Sequence, residues 1–272
     1  MSNEIIKSIF KINKPIIGMV HFKALPGSPL FNDKEGIEKM LILINKDIEA
    51  LQDGGIDAIM FGNENDRPYQ TKVSEVTIAT MSYLIGRVRQ KIKVPFGVDV
   101  LYDPRATIAV AKATGASFIR EVFTSVFAGD IGLWNTSCGE VLRYRDAIKG
   151  NNIITMYNIN AEFASTLETR PIELIAKSVV FSSLPDILLI SGSMTGDIAA
   201  ASYIEKVKKA VPDILVFINT GLNLNNISEM LQIADGAIVG TSFKKDGITW
   251  NEIDKDRVVK LMEKVREIRR KK

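Results

Sequence analysis

Eight short apolar runs alternate with amphipathic stretches along these 272 residues, a rhythm that leaves few folds open. Read as strands, six of the runs lie at 16–22, 58–61, 96–101, 117–123, 153–157 and 187–190. A seventh ends in Phe217-Ile218-Asn219 and an eighth covers 237–239. They lack polar alternation, as strands covered on both faces do. Between the first two, Ile37, Met40, Leu41, Ile44, Ile48 and Leu51 form one helical stripe that stops at Gly54-Gly55. Ile78, Met81, Ile85, Val88 and Ile92 form the next, at spacings of three and four. A helix is likewise expected from Asp197 to Ala210, and no linker or low-complexity segment interrupts the pattern. Strands alternating with helices imply a parallel sheet, and eight units favour closure. The expected fold is α/β, a (β/α)8 TIM barrel of the phosphate-binding type, with residues 1–272 as one domain.

Composition excludes several classes. Thirty-five basic residues nearly balance 32 acidic ones, so no field favours nucleic acid. The single cysteine, Cys138, permits no internal disulfide and fits a reducing compartment. Residues 1–14 mix charge with apolar side chains and contain no signal-peptide core. No window of about eighteen residues is apolar enough to span a membrane. A soluble, cytoplasmic protein is expected, with a homo-oligomer left open.

In such barrels the chemistry sits at the C-terminal ends of the strands. Two late strands end in Asn219-Thr220-Gly221-Leu222 and Gly240-Thr241-Ser242, and the sixth in Ser191-Gly192-Ser193-Met194-Thr195-Gly196. Glycine and small hydroxyl residues there let backbone N–H groups approach an anion. Gly192, Thr195, Gly221, Leu222, Gly240 and Thr241 are therefore the candidate phosphate ligands; the competing reading is tight turns chosen for geometry alone.

The earlier strands end in acids and amides. His21, the only histidine, together with Glu64, Asp66, Asp99 and Glu121, makes up the candidate catalytic set. Acids from different strands can converge in a partly dry cavity, where their pKa values shift into a range useful for proton transfer. The competing reading pairs them structurally with Arg67, Arg105 or Arg120. Asn63, Arg120, Asn158, Ser191 and Asn219 are the candidate contacts to the rest of the substrate. One imidazole argues against histidine-based metal coordination, whereas an oxygen-ligand site for magnesium or manganese stays open. No cofactor is certain. Lys23 and Lys244 fall beyond their strand ends, which disfavours a Schiff base. The loop 124–139, with Trp134, is either a lid or a packing loop.

These residues resemble the BtpA/SgcQ family. The resemblance rests on the block 17–29 around Gly18-Met19-Val20-His21, on Gly115-Ala116-Ser117-Phe118-Ile119-Arg120 and Leu142-Arg143-Tyr144-Arg145, and on the block 234–247 around Ala237-Ile238-Val239-Gly240-Thr241. It implies a TIM-type barrel and does not fix an activity. Some relatives are associated with photosystem I biogenesis, and others look like components of sugar-utilisation gene sets. The chain departs from the photosystem-linked pattern at Gly62-Asn63-Glu64 and around Ala161-Glu162-Phe163. Its Gly129-Asp130-Ile131-Gly132-Leu133-Trp134-Asn135-Thr136 loop is closer to the SgcQ-like branch, which leans toward carbohydrate metabolism.

The expectation is an enzyme that acts on a small phosphorylated, sugar-derived metabolite by acid/base chemistry, as an isomerase, epimerase or lyase. The alternative is a non-catalytic phosphometabolite-binding or biogenesis factor.

Overall fold

The computed structural model describes residues 4, 6–192 and 201–270. In chain order its elements are β1 (Ile16–His21), α1 (Gly36–Asp53), β2 (Ala58–Gly62), α2 (Glu75–Val88), β3 (Phe96–Asp99), α3 (Pro104–Thr114), β4 (Phe118–Glu121), β5 (Val126–Gly129), β6 (Gly132–Asn135) and α4 (Cys138–Ala147). Then come β7 (Ile154–Asn158), β8 (Ala164–Thr166), α5 (Ile172–Ser183), β9 (Ile187–Ile190), α6 (Ala201–Ala210), β10 (Leu215–Ile218), α7 (Ile227–Ile233), β11 (Gly236–Val239) and α8 (Lys255–Arg270). Eight of the strands close a parallel barrel in the order β1, β11, β10, β9, β7, β4, β3, β2. This is the expected (β/α)8 TIM barrel.

The helices start and stop where local chemistry satisfies their ends. Ser74 accepts a hydrogen bond from the Thr77 amide to open α2, and Asp103 does the same for Ala106 at α3, where Pro104 follows. Gly115 ends α3 with φ +76°, a left-handed conformation that favours glycine.

Side-chain parity divides the core. Ile16 and Val20 of β1 and Ile59 and Phe61 of β2 pack outward under the helices, while Ile17, Met19, Ala58 and Met60 pack inside the barrel. Inside, Phe118 and Phe217 are fully buried, and glycines make room for their rings. A Cβ on Gly97 would lie 2.3 Å from the Phe118 ring, and one on Gly236 would lie 2.6 Å from the Phe217 ring. Phe10, from the helical turn Ile6–Phe10 before β1, packs at a tilt against both, with ring centroids 5.5 and 6.0 Å away. This apolar plug fills the barrel interior, so any cleft belongs to the other end.

Three features differ from the sequence reading. Several strands are shorter than the apolar runs: 100–101 and 122–123 lie beyond their ladders, where the chain already turns toward the cleft. The loop 124–139 contains the hairpin β5–β6, which pairs antiparallel with β8 in a separate three-stranded sheet. Its Trp134 is buried against Tyr102 and Phe127, so it packs as a structured roof. The helix expected from Asp197 is seen from Ala201, and its first residues lie outside the described ones.

Candidate active site

At the C-terminal ends of the strands, the inward positions change from apolar to polar. Two residues beyond Met19, Gly97, Phe118, Met156, Leu189 and Phe217 stand His21, Asp99, Arg120, Asn158, Ser191 and Asn219. Glycine occupies the equivalent place on β2 and just past β11, the two neighbours of β1: Gly62 and Gly240. A Cβ on Gly62 would lie 2.5 Å from Glu64 Oε2, and one on Gly240 would lie 3.1 Å from His21 Cε1. Both glycines thus vacate the space that the Glu64 carboxyl and the His21 ring require. The resulting cleft, of about 770 Å³ and open to solvent, is lined by His21, Glu64, Asp99, Arg120, Glu121, Asn158, Asn219, Gly221, Leu222, Gly240 and Thr241.

Arg120 organises the acids. Its Nε donates to Asp99 Oδ2 at 2.6 Å and one terminal nitrogen closes a second bond to the same oxygen. Nη1 donates to Asn219 Oδ1 at 3.1 Å, and Nη2 reaches Glu64 Oε1 at 3.4 Å. Asn219 in turn donates to Ser191 Oγ at 2.8 Å and Glu162 Oε1 at 3.2 Å. A buried guanidinium with these partners is fixed in orientation as well as charge.

Burial then sets the protonation states. Glu64 is pushed up to about 7, because burial penalises its charge and Asp99 adds to this, against the pull of Arg120. Its Oε1 lies 3.4 Å from His21 Nε2. His21 is held well below the usual imidazole range by burial, helped by the positive charges of Lys244 and Arg120, so it is neutral at pH 7. Glu121 is raised well above the carboxylate range by burial and by Asp99. The formal excess of acid in the cleft is therefore larger than its actual negative charge at neutral pH. Glu64 and His21, a carboxyl that titrates near 7 in contact with a neutral imidazole, form a couple able to accept and return a proton.

Other residues from the sequence-derived set lie elsewhere. Asp66 is half-buried and accepts from the Leu25 amide at 3.1 Å, and Asn63 reaches it at 3.5 Å. Asn63 Oδ1 also accepts from the Leu101 amide at 2.9 Å. These two residues tie the loops after β1, β2 and β3 together, and Glu64 is the acid after β2 that lines the cleft. Ser191 lines a neighbouring hollow and touches the site through Asn219. The Gly192 amide donates to Thr220 Oγ1 at 2.7 Å. Thr195 lies outside the described residues.

The two glycine loops meet. Ser242 Oγ donates to the Leu222 carbonyl at 2.5 Å, which joins the loop after β10 to the one after β11. Gly221 has φ +79°, and Asn226 and Asn223 hold its carbonyl at 2.9 and 3.2 Å. Thr241 and Ser242 open a one-turn 3-10 helix, where the first amides have no acceptor within the helix.

The cleft residues not legible as candidates in the sequence include Tyr69, Tyr102, Glu162 and Phe163. Tyr69 Oη donates to the Glu64 carbonyl at 2.8 Å, and its ring stands 5.4 Å from that of Tyr102 and 6.4 Å from that of Phe163. None lies at a strand end. The segment 161–163 was noticeable only as a departure from a related pattern. Among the described residues, no three His, Cys, Asp or Glu side chains are grouped to hold a metal ion. Lys244 is buried in an ion pair with Asp47 at 3.1 Å. None of the helices among the described residues is long and apolar enough to cross a membrane.

Comparison with known proteins gives a consistent picture. A family model described as "BtpA family" matches residues 12–267. The chain is 44% identical over 265 residues to "Putative sgc region protein SgcQ" of Escherichia coli, covering 97% of this chain and 99% of that one. It is 29% identical over 261 residues to "Photosystem I biogenesis protein BtpA" of Synechocystis, covering 95% and 90%. Among solved structures, phosphoribosyl anthranilate isomerase from Thermus thermophilus superposes with a TM-score of 0.54 at 9% identity, over 93% of this chain and 99% of that one. That likeness concerns the fold.

Proposed function

From the premise that this chain belongs to the BtpA family, we propose that it is an enzyme acting by acid/base chemistry on a small phosphorylated, sugar-derived metabolite. The observation that carries the reading is Glu64: a buried carboxyl pushed up to about 7, placed between Arg120 and a neutral His21 in an open cleft. A protein that only bound an anion would have no use for buried acids held near neutrality, since each weakens anion binding when ionised. In this reading the phosphate rests on the amides around Gly221-Leu222 and Gly240-Thr241-Ser242. The sugar part faces Arg120, Asn158 and Asn219. Glu64 moves the proton, with His21 as its partner, and Arg120 is the resident cation that polarises the reacting oxygen. Proton abstraction beside a carbonyl covers the isomerase, epimerase and lyase classes alike. In this reading the protein serves carbohydrate metabolism in the cytoplasm, in keeping with the proposed substrate class.

The test is solvent-deuterium uptake into a panel of phosphosugars, run beside calorimetric titration with inorganic phosphate. The wild type should incorporate deuterium at carbon, and Glu64→Gln should lower the rate by roughly 10²–10⁴-fold with phosphate affinity kept. Phosphate binding without any exchange would favour a metabolite-sensing or assembly factor, the kind of role printed in the name of the Synechocystis relative.

A further inference from the structure

Besides Glu64, whose Oε2 is also without a donor, two buried carboxyl groups in the cleft have oxygens that nothing donates to. Asp99, at the end of β3, and Glu121, at the end of the adjacent β4, are 1% and 3% exposed. Asp99 Oδ2 takes both bonds from Arg120, while Oδ1 has no partner. Glu121 Oε2 accepts from the Val122 amide at 2.8 Å, while Oε1 has no partner. An acceptor buried without a donor is costly, more so when charged, and two ionised carboxylates would add mutual repulsion. One proton between the two groups removes both penalties, because a protonated carboxyl becomes a donor.

We infer that Asp99 and Glu121 hold a single proton between them, resident on Glu121, so that the cleft offers its ligand a carboxylic acid in addition to the Glu64–His21 couple. The location follows from the partners. Asp99 faces a bidentate guanidinium that stabilises its ionised form, whereas Glu121 has a single neutral amide and faces the Asp99 charge. In the shared-proton arrangement Glu121 donates to Asp99, and burial together with the Asp99 charge raises Glu121 well above the carboxylate range. Of the remaining charged or titratable groups around the pair, Arg120 of β4 favours ionisation of Glu121. Glu64 after β2, Glu162 after β7, and Tyr69 and Tyr102 line the same cleft and bring no positive charge, and His21 is neutral.

The acid defines a substrate class, a phosphorylated compound with a carbonyl group and a hydroxyl on the adjacent carbon that loses its proton to Glu64, and this half of the inference rests on the function proposed above. Glu64 takes a proton from the carbon beside the carbonyl. The C–H electron pair becomes the new C=C bond, and the carbonyl π pair takes up the Glu121 proton as O–H. The product is an enediol, with Glu64 now protonated and Glu121 ionised beside Asp99. Delivery of the Glu64 proton to the neighbouring carbon, with return of a hydroxyl proton to Glu121, restores both groups and leaves an isomerised carbonyl compound.

Glutamate labelled with ¹³C at Cδ, followed by NMR in the Glu64→Gln protein without ligand, tests the shared proton. One glutamate should keep the shift of a protonated carboxyl at pH 7, and Glu121→Gln in the same background should remove that signal. Its absence in Glu64→Gln, or its survival in the double variant, would overturn the inference. Should the double variant not fold, Asp99→Asn replaces it: removing the Asp99 charge should move the Glu121 titration to lower pH, and an unmoved titration counts against the pair. The donor role is read separately, with Glu121→Gln alone expected to slow deuterium uptake about 10²-fold. Unimpaired uptake excludes that role. An intact acid signal in a protein that exchanges no substrate would sink the enzymatic reading and leave the shared proton standing.

Discussion

The titration of Glu64 reports its environment. In the unfolded chain it titrates near the ordinary 4.5, and in the fold near 7, because burial disfavours the charge. The folded state therefore binds the proton more tightly, and the associated stability is fully present below about 4.5. It is lost as pH rises through 7. Glu64→Gln removes this dependence. Relative to wild type, the variant should gain stability between pH 5 and pH 8, by at most about 3 kcal/mol at 1.36 kcal/mol per pKa unit. Urea denaturation of both proteins at the two pH values measures it. A difference that does not change with pH would place Glu64 in a solvated environment and remove it from the proton chemistry. Asp66 makes the contrast: the same residue class at the same strand end, it is spent on the Leu25 amide and on joining loops.

At the level of elements, the glycines that end or line strands serve packing and chemistry differently. Gly97 lies inside β3 against Phe118, so Gly97→Ala drives a methyl to 2.3 Å from a core ring and 2.8 Å from its carbonyl oxygen. Overpacking of this kind typically costs about 1–3 kcal/mol, readable as a lower urea midpoint with an unchanged slope. Gly240 follows β11 at the cleft. Its added methyl would sit 3.1–3.2 Å from the His21 ring, which can shift by a few tenths of an ångström. Gly240→Ala should therefore melt within about 1 kcal/mol of wild type while deuterium uptake falls roughly tenfold or more, since displacement of a reacting group costs rate steeply. An unfolded Gly240→Ala, or one with full activity, would contradict the division. The hairpin β5–β6 was illegible as strands. Its strands Val126–Gly129 and Gly132–Asn135 are short and partly exposed, and they are held by the pairing of β5 with β8, whose residues Ala164–Thr166 lie far along the chain, and by Trp134 on Tyr102. Such non-local pairing leaves no periodic trace in a run of four residues.

Over the whole molecule, the barrel is held by an interior that admits no charge. Ile238 of β11 is 1% exposed and packs with the cluster that includes Phe217 and Met19. Ile238→Asp should abolish cooperative folding, because among the described residues its neighbours in that cluster are all apolar; a soluble, cooperatively melting variant would refute the interior placement. The alternation of buried runs with amphipathic stripes determined the eightfold parallel barrel from the sequence alone, since a strand buried on both faces and a one-sided helix have few ways to pack. It also determined most of the cleft, because a parallel barrel brings all strand C-termini to one rim: His21, Asp99, Arg120, Asn158 and Asn219 stand there by parity. Only the tertiary structure decided which acid faces inward after β2, that Glu162 and the tyrosines of the roof join the cleft, and that Arg120 spends its bonds on Asp99, Asn219 and Glu64. Those outcomes depend on loop paths and on burial. Both are set by contacts between residues tens of positions apart, and a carboxyl's proton follows from the charges it meets in space, which its neighbours in sequence do not specify.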